Sequence, residues 1–316
     1  MQLKTQNRIT IDKILLLILC FVAVCANIGV LAGFIPQLDL IIHFQVQYLV
    51  TLAILAVIFI CRRKWVLLVG TCICVIAPMM KVLPWYSGDA VDAVPQIRIL
   101  SSNVKATNTN TQAIQNLIEQ ESTDIVVLLE AMKLHQNSLV AIETRYPYRY
   151  SHSLDTGSGF LLYSLFPISN IEQYLNNQFG MACLAVTVES PEGKFDLMAV
   201  HPPRPGLRHG STLRDFALSE ITELLSQRSK NAVVIGDLNT TMWSRGYELF
   251  VEKNRLHNLR QGRGVMPSWH LKMFGPLLAI PIDHCFVRGD VHGASFELIP
   301  LDGSDHDAIV VGITEQ

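Results

Sequence analysis

"IPLDGSDHDAIVVGI", residues 299–313, sets Asp302, Asp305, His306 and Asp307 just ahead of a run of β-branched apolar residues. Ile309, Val310, Val311 and Ile313 read as a buried strand, because such side chains fit a pleated, covered surface. A turn accounts for Asp302, Gly303 and Asp307, which we read as turn or solvated residues. On this stretch alone a turn with an incidental histidine also accounts for Asp305 and His306, and the rest of the chain decides between that and a site. "PIDHCFV", residues 281–287, repeats the order, with Asp283 ahead of its apolar run. Four earlier segments invert it. "IRILSSNV" (97–104) runs into Asn103, "DIVVLLE" (124–130) into Glu130, "KFDLMAVH" (194–201) into His201, and "NAVVIGDLN" (231–239) into Asp237 and Asn239. If the two late strands run antiparallel to the four early ones, all six polar clusters meet at one rim.

Helical spacing separates these strands. Ile114, Leu117 and Ile118 mark one helix in 111–123, and Leu213, Phe216, Ala217, Ile221, Leu224 and Leu225 mark an amphipathic helix over 211–227. "GFLLYS" and "MACLAVTVES" add further strands. Many strands with a few helices between them predict a layered α/β (α+β) sandwich.

The N-terminal quarter is different. The chain has 316 residues, 50% hydrophobic and 16% charged, with mean hydropathy +0.31, which is too apolar for an ordinary soluble domain. Three apolar runs precede residue 84: Ile14–Phe34, Ile41–Ile60 and Trp65–Val82. Each approaches the roughly 17–25 residues of a membrane-crossing helix. His43, Gln45 and Gln47 blur the start of the second. The first is too long for a cleaved signal core and lacks an A-x-A site. No charged residue lies in mid-span, which argues against a conducting path. Lys4, Arg8 and Lys13 precede the first run and Arg62-Arg63-Lys64 joins the second to the third, whereas "IPQLD" has no basic residue. The excess of bases predicts a multi-pass protein of the cytoplasmic (inner) membrane, with its N-terminus in the cytoplasm and everything beyond about Pro84 extracytoplasmic, or periplasmic. The expected organisation is an anchor at 1–83, a linker at 84–96 and an outer domain at 97–316.

Cys183 and Cys285 are the only cysteines of the outer domain, and their apolar surroundings suit two buried thiols better than a disulfide. Residues 1–81 hold seven of the 25 Lys/Arg and two of the 27 Asp/Glu, leaving 18 bases and 25 acids, a formal −7, for the remainder. That sign is unfavourable for gripping long nucleic acid.

Carboxylate and amide oxygens without cysteine suit a hard cation, Mg²⁺ first, with Mn²⁺ or Ca²⁺ as alternatives. A histidine beside a carboxylate suits a general base or a transition-state donor. Together they match a phosphate ester, whose equatorial oxygens need charge stabilisation while water is activated.

The ordered set "SNV", "VVLLE", "AVHPP", "VVIGDLN", "PIDHCFV" and "GSDHDAIVV" resembles the endonuclease/exonuclease/phosphatase superfamily over residues 97–316. This superfamily includes pancreatic-type deoxyribonucleases, apurinic endonucleases, inositol-polyphosphate 5-phosphatases and neutral sphingomyelinases. The N-terminal helices and "HPPRPG" resemble its membrane-bound bacterial members. The resemblance implies a four-layer sandwich of two packed mixed β-sheets flanked by helices, here preceded by three transmembrane helices. It implies that Glu130 binds the metal, with Asn103 and Asp305 in its shell. His306, oriented by Asp283, would contact the scissile phosphate as base or charged donor. Asp237 would position or activate water or protonate the leaving group, Asn239 would hold a phosphate oxygen, and His201 would be a second donor. "PSWH" resembles a Trp-containing stretch near the family's substrate clefts, so Trp269 would either shape the cleft or belong to the core. Separately, Arg204 and Arg208 follow His201 closely enough to meet a phosphate or head group. Ser102 stands where an aromatic often precedes the Asn, a difference of local packing. We read His284 as structural and His152, His209, His257 and His270 as surface residues.

The expected function is therefore a membrane-anchored, divalent-metal-dependent phosphoesterase. Its substrate partner would be a nucleic acid or a lipid head group, with no obligate protein partner. The alternative is a catalytically idle binding or scaffold domain of the same fold.

Overall fold

The strands carry apolar residues on both faces, so each sheet must be covered twice. The computed structural model describes residues 2–28, 34–88, 90, 92–153, 159–176, 180–271 and 275–315. One six-stranded sheet contains β1 (Ile97–Asn103), β2 (Ile125–Leu129), β3 (Tyr148–His152), β4 (Phe160–Ser164), β13 (Val291–Pro300) and β14 (Asp307–Glu315). Its order is β13-β14-β1-β2-β4-β3. The second contains β5 (Ile168–Asn176), β6 (Gly180–Glu189), β7 (Lys194–Val200), β8 (Ala232–Asp237), β9 (His257–Asn258) and β12 (Asp283–Arg288), in the order β5-β6-β7-β8-β12-β9. A hairpin of β10 (Trp269–Leu271) and β11 (Gly275–Ile280) stands apart.

Alternation along each strand builds the layers. Ile125, Val127 and Leu129 join Leu184, Val186, Leu197, Val233 and Ile235 between the sheets. Val126 and Leu128 face the other way, onto Ile114, Leu117 and Ile118 of the helix Thr111–Glu121. Ala232 and Val234 pack against the helices Thr212–Ser226 and Arg245–Asn254 through Leu218, Ile221 and Phe250. The result is helix, sheet, sheet, helix.

Strand direction brings the six clusters together. β1 and β2 are parallel, and β14 runs antiparallel to β1. β7 and β8 are parallel, and β12 runs antiparallel to β8 with Asp283 opposite Asp237. The inverted polar order of the two late segments is thus the mark of their reversed direction. Cys183 and Cys285 are buried free thiols, as their neighbours suggested, and burial pushes both well above the usual thiol range.

Gly236 explains one motif position. Its φ is +141°, and a Cβ there would stand 2.2 Å from the Val200 carbonyl oxygen on β7. Gly236→Ala is expected to cost about 2–4 kcal/mol from strain and overpacking. Thermal unfolding of the full chain checks this, and an unchanged melting temperature contradicts it.

The N-terminal segment departs from expectation at its centre. The windows Thr10–Asn27 and Trp65–Tyr86 lie in helices long and apolar enough to cross a membrane. The second expected span is a bent pair, Pro36–Ile42 and Gln45–Cys61, with 56° between its parts. The bend follows from Asp39, His43 and Gln45, which are buried in protein contacts that a straight lipid-facing helix would deny them. Of the first span, the expected stretch 29–33 lies outside the described residues. The linker is also not free at its start, since Leu83–Tyr86 forms a 3₁₀ turn and the Trp85 carbonyl accepts from Gly264 N at 2.8 Å. Val82, Val46, Leu49 and Trp85 pack into the core beneath the second sheet's helices.

Candidate active site

The β8 strand delivers Asp237 at its last position, 1% exposed. The β12 strand delivers Asp283 opposite it. His306 arrives one residue before β14, and its Nδ1 lies 3.0 Å from Asp283 Oδ2. Ser268 completes this pair, because its hydroxyl donates to Asp283 Oδ2 at 2.6 Å and accepts Asp283 N–H at 3.0 Å. His306 Nε2 is 3.8 Å from Asp237 Oδ2, so one imidazole bridges two buried carboxylates.

The second half of the rim is built on β1, β2 and β7. Asn103 Nδ2 donates both to Glu130 Oε1 and to Asp237 Oδ2, each at 3.1 Å. His201 Nε2 sits 3.6 Å from Glu130 Oε1 and 3.7 Å from Asp237 Oδ2. Glu130 Oε2 accepts Ala106 N–H at 3.0 Å. Glu130 and Asn239 hold φ of +55° and +51°, a conformation that non-glycine residues adopt only when their surroundings fix it. Asn239 N–H donates to Asp237 Oδ1 at 2.7 Å and its Nδ2 to the Pro202 carbonyl at 3.0 Å. The strain tightens the turn after β8 and keeps Asp237 aimed at the rim.

Burial and proximity set the charges. Burial and the neighbouring Asp283 push the Asp237 carboxyl up to about 6, against the pull of His306 and His201. Burial alone would also raise Asp283, but His306 and the Ser268 hydroxyl outweigh it and hold that carboxyl below its ordinary range. Burial would lower His306, yet Asp283 and Asp237 together raise it to about 10. The imidazole is therefore a stored cation at neutral pH.

Asn103, Glu130, His201, Asp237, Asn239, Asp283 and His306 all converge. Asp305 stands beside them with its carboxylate on Lys105 Nζ at 3.2 Å. Trp269 pairs with His306 through a backbone bridge, which puts it at the rim. Arg204 is exposed on the loop after His201. The sequence reading missed Lys105 and Ser268, although Ser268 lies in the "PSWH" stretch noted for its tryptophan. His270, read as a surface residue, and Asp307, read as turn or solvated, are both part-exposed, and their Nε2 and Oδ2 meet at 2.8 Å, with Asp307 opening β14. His284 is structural as read, with Nε2 on the Thr240 carbonyl at 2.9 Å.

Two donor sets compete for a cation. Asp237, Asp283 and His306 place ligand atoms within 4.8 Å of one another. In that set His306 Nδ1 and the Asp283 carboxylate are already engaged with each other at 3.0 Å. Glu130, which shares the Asn103 amide with Asp237 and lies 3.6 Å from His201, offers a carboxylate that fits a hard cation. Asn103 itself donates here, because its carbonyl oxygen already accepts Lys105 N–H at 3.0 Å.

The sequence profile of the Endonuclease/Exonuclease/phosphatase family matches residues 99–306, from β1 to His306. The chain belongs to this family. Comparison with curated proteins returns no match. Among solved structures, D. rerio TDP2 complexed with single strand DNA product is similar at TM-score 0.56 and 18% identity, covering 69% of this chain and 98% of that one. The 3' phosphatase NExo from Neisseria, bound to product DNA hairpin, is similar at TM-score 0.55 and 16% identity, with coverage of 69% and 99%. An endonuclease/exonuclease/phosphatase from Beutenbergia cavernae reaches TM-score 0.54 at 16% identity, with coverage of 70% and 72%. At these identities the structural likeness speaks for the fold. Endonuclease/Exonuclease/phosphatase membership adds the reaction class, hydrolysis at phosphate esters.

Proposed function

We infer that this protein is a membrane-anchored, divalent-metal-dependent phosphoesterase. The observation that carries this is the single rim on which His306–Asp283, Asp237, His201 and Glu130 meet within hydrogen-bonding or near-contact distance. Glu130 would hold the ion, with Asn103 and Asp305 around it and Mg²⁺ the cation of choice. When bound, that ion neutralises phosphate charge and acidifies water.

The chain's own groups divide the remaining work. His306, held protonated by two carboxylates, donates Nε2–H to a non-bridging phosphate oxygen and gains strength as charge builds there. Asp283 and Ser268 keep its ring turned. Asp237, near neutrality, takes the proton of the attacking water. His201 and Asn239 supply further donors, and Arg204 and Trp269 border the entrance. The rate should therefore rise as pH climbs through about 6, since Asp237 must be ionised to accept a proton, and fall toward about 10 as His306 discharges. A pH–rate profile of the full chain checks the sign, and a rate that declines between about pH 5 and 7 contradicts Asp237 as base.

Three crossings with the N-terminus in the cytoplasm belong to the same proposal. Arg62 and Lys64 both meet Asp12 at 2.6 Å, at the end of the helices away from the catalytic layers. The opposite end, at 36–43 and 81–85, is the one that touches them. That polarity and the positive-inside bias together favour an extracytoplasmic active site.

The substrate we favour is a phosphate ester presented at the membrane surface. Leu207, on the loop after His201, and Leu277, on β11, are 88% and 74% exposed. Both segments touch the anchor, through Ser211 N–H to the Pro36 carbonyl at 3.1 Å and Gln47 Nε2 to the Ala279 carbonyl at 2.8 Å. The net −7 beyond residue 81 opposes long DNA. DNA, which TDP2 and NExo carry in their structures, is the competing reading. Turnover of phospholipid vesicles and of single-stranded DNA by the same preparation separates the two, and faster DNA hydrolysis overturns the lipid preference.

A further inference from the structure

The function proposed above leaves one buried ionic cluster without a task. It lies where the anchor's bent turn enters the catalytic layers. Asp39 is 3% exposed, His43 4% and Arg214 fully buried. Arg214 Nη1 donates to Asp39 Oδ2 at 2.6 Å, and Ser244 Oγ donates to Asp39 Oδ1 at 3.0 Å. His43 Nε2 meets Asp39 Oδ2 at 3.2 Å and its Nδ1 meets Thr241 Oγ1 at 2.9 Å. Arg214 also reaches Ser244 Oγ at 3.0 Å and the Asn239 carbonyl at 3.4 Å.

Arg214 is also held by its neighbour Asp215, whose Oδ1 accepts from Nη2 at 2.7 Å, and the remaining partners outside the anchor, Asn239, Thr241 and Ser244, all fall in residues 239–244. That segment leaves β8 directly after Asp237 and contains Asn239, whose left-handed backbone closes onto Asp237 Oδ1. From the other side it is held by His284 Nε2 on the Thr240 carbonyl. The loop after His201 is pinned to the same turn. Ser211 N–H donates to the Pro36 carbonyl, and a Cβ on Gly210 would stand 2.2 Å from Pro36 C. Both loops that follow catalytic strands of the second sheet therefore dock on residues 36–43.

A tether alone needs none of this. Val46, Leu49, Val82 and Trp85 already attach the anchor through apolar contact. Burying a carboxylate, an imidazole and a guanidinium adds desolvation cost, and what such a cluster supplies in return is a unique register. We propose that Asp39 and His43 are positioning residues of the active site: the anchor's 36–43 turn, through Arg214, Thr241 and Ser244, fixes the loop that carries Asn239 and aims Asp237. The anchor is then part of the catalytic unit as well as its attachment.

This inference rests on the phosphoesterase reading for its kinetic test, and a second readout stands apart from it. The full chain in detergent micelles or nanodiscs is assayed with Mn²⁺ on bis-p-nitrophenyl phosphate as Asp39→Asn, His43→Ala, His43→Asn and Thr241→Val. The expected result is a fall in kcat of roughly 10–100-fold for Asp39→Asn and His43→Ala, with KM within about twofold, as for a misaimed catalytic group. His43→Asn, whose amide stands in for Nδ1, should recover part of the loss. Hydrogen exchange of a peptide spanning 237–245 should quicken in Asp39→Asn and His43→Ala while the helix Thr111–Glu121 is unchanged. Wild-type kcat and wild-type exchange in folded variants overturn the proposal. An inactive wild type with quickened exchange in the variants overturns the phosphoesterase reading and leaves the positioning role standing. Should Asp39→Asn fail to fold, Thr241→Val, which removes only the hydroxyl that meets His43, gives the same two readouts.

Discussion

Replacing His306 with Gln is expected to lower turnover of a phosphodiester by roughly 10²–10⁴-fold, the range for a lost acid–base or charged donor group. The size follows from the site. His306 is 6% exposed, bridges Asp283 and Asp237, and is held protonated to about pH 10. A neutral amide keeps one hydrogen bond to Asp283 but brings no positive charge to the phosphate. His306→Ala should lose activity to the same degree and also unfold more easily. It strands the Asp283 carboxylate beside Ser268, and breaking a buried pair costs about 3–5 kcal/mol. Steady-state kinetics and thermal unfolding of both variants separate chemistry from stability. Activity in His306→Gln within a few-fold of wild type contradicts the role given to the imidazolium.

Glu130→Gln is expected to weaken Mg²⁺ or Mn²⁺ binding by more than the roughly 10–100-fold seen when a supporting partner is lost, because it removes a ligand's charge. At sub-saturating metal the rate should fall in proportion, and excess metal should restore part of it. Asn103 and His201 would remain, but the Asp237 carboxylate would face the site without its partner acid. Titration of Mn²⁺ against the rate measures the change directly. An unaltered metal requirement would move the ion away from Glu130, toward the alternative set of Asp237, Asp283 and His306.

Why the rim was legible and other features were not is a matter of range. A strand that ends in Asn103 or opens on Asp283 announces its polar end through period-2 burial and position alone, so direction can be argued without contacts. β3 and β13 are half-exposed and give no such run, and β9 has two residues. Ser268 and Lys105 act through partners 15 and 200 positions away, at Asp283 and Asp305, which no local pattern encodes. The pairing of His270 with Asp307, 37 positions apart, is hidden for the same reason. The turn at 36–43 is more instructive. His43, Gln45 and Gln47 stood out in the sequence only as flaws in a membrane span. For His43 and Gln47 the reason is tertiary: Asp39 and His43 answer to Arg214, Ser244 and Thr241, and Gln47 to the Ala279 carbonyl, while Gln45 bonds locally to the Ile42 carbonyl. Polar residues that break an apolar run can mark where the run meets its own domain.

The central claim is that the rim is a metal-dependent phosphoesterase centre. Its most direct test is hydrolysis of bis-p-nitrophenyl phosphate and p-nitrophenyl phosphate by the full chain in detergent, with Mg²⁺ or Mn²⁺, after chelation, and with Asp237→Asn as control. The full chain is required because Val82 and Trp85 share the catalytic core and Asp39 reaches its loops. The account predicts p-nitrophenol release that needs the cation, disappears on chelation, returns on adding metal back, and is absent from the folded Asp237→Asn variant. Release that persists equally in that variant, or a folded, metal-saturated wild type that turns over neither these esters nor lipid vesicles nor DNA, contradicts it.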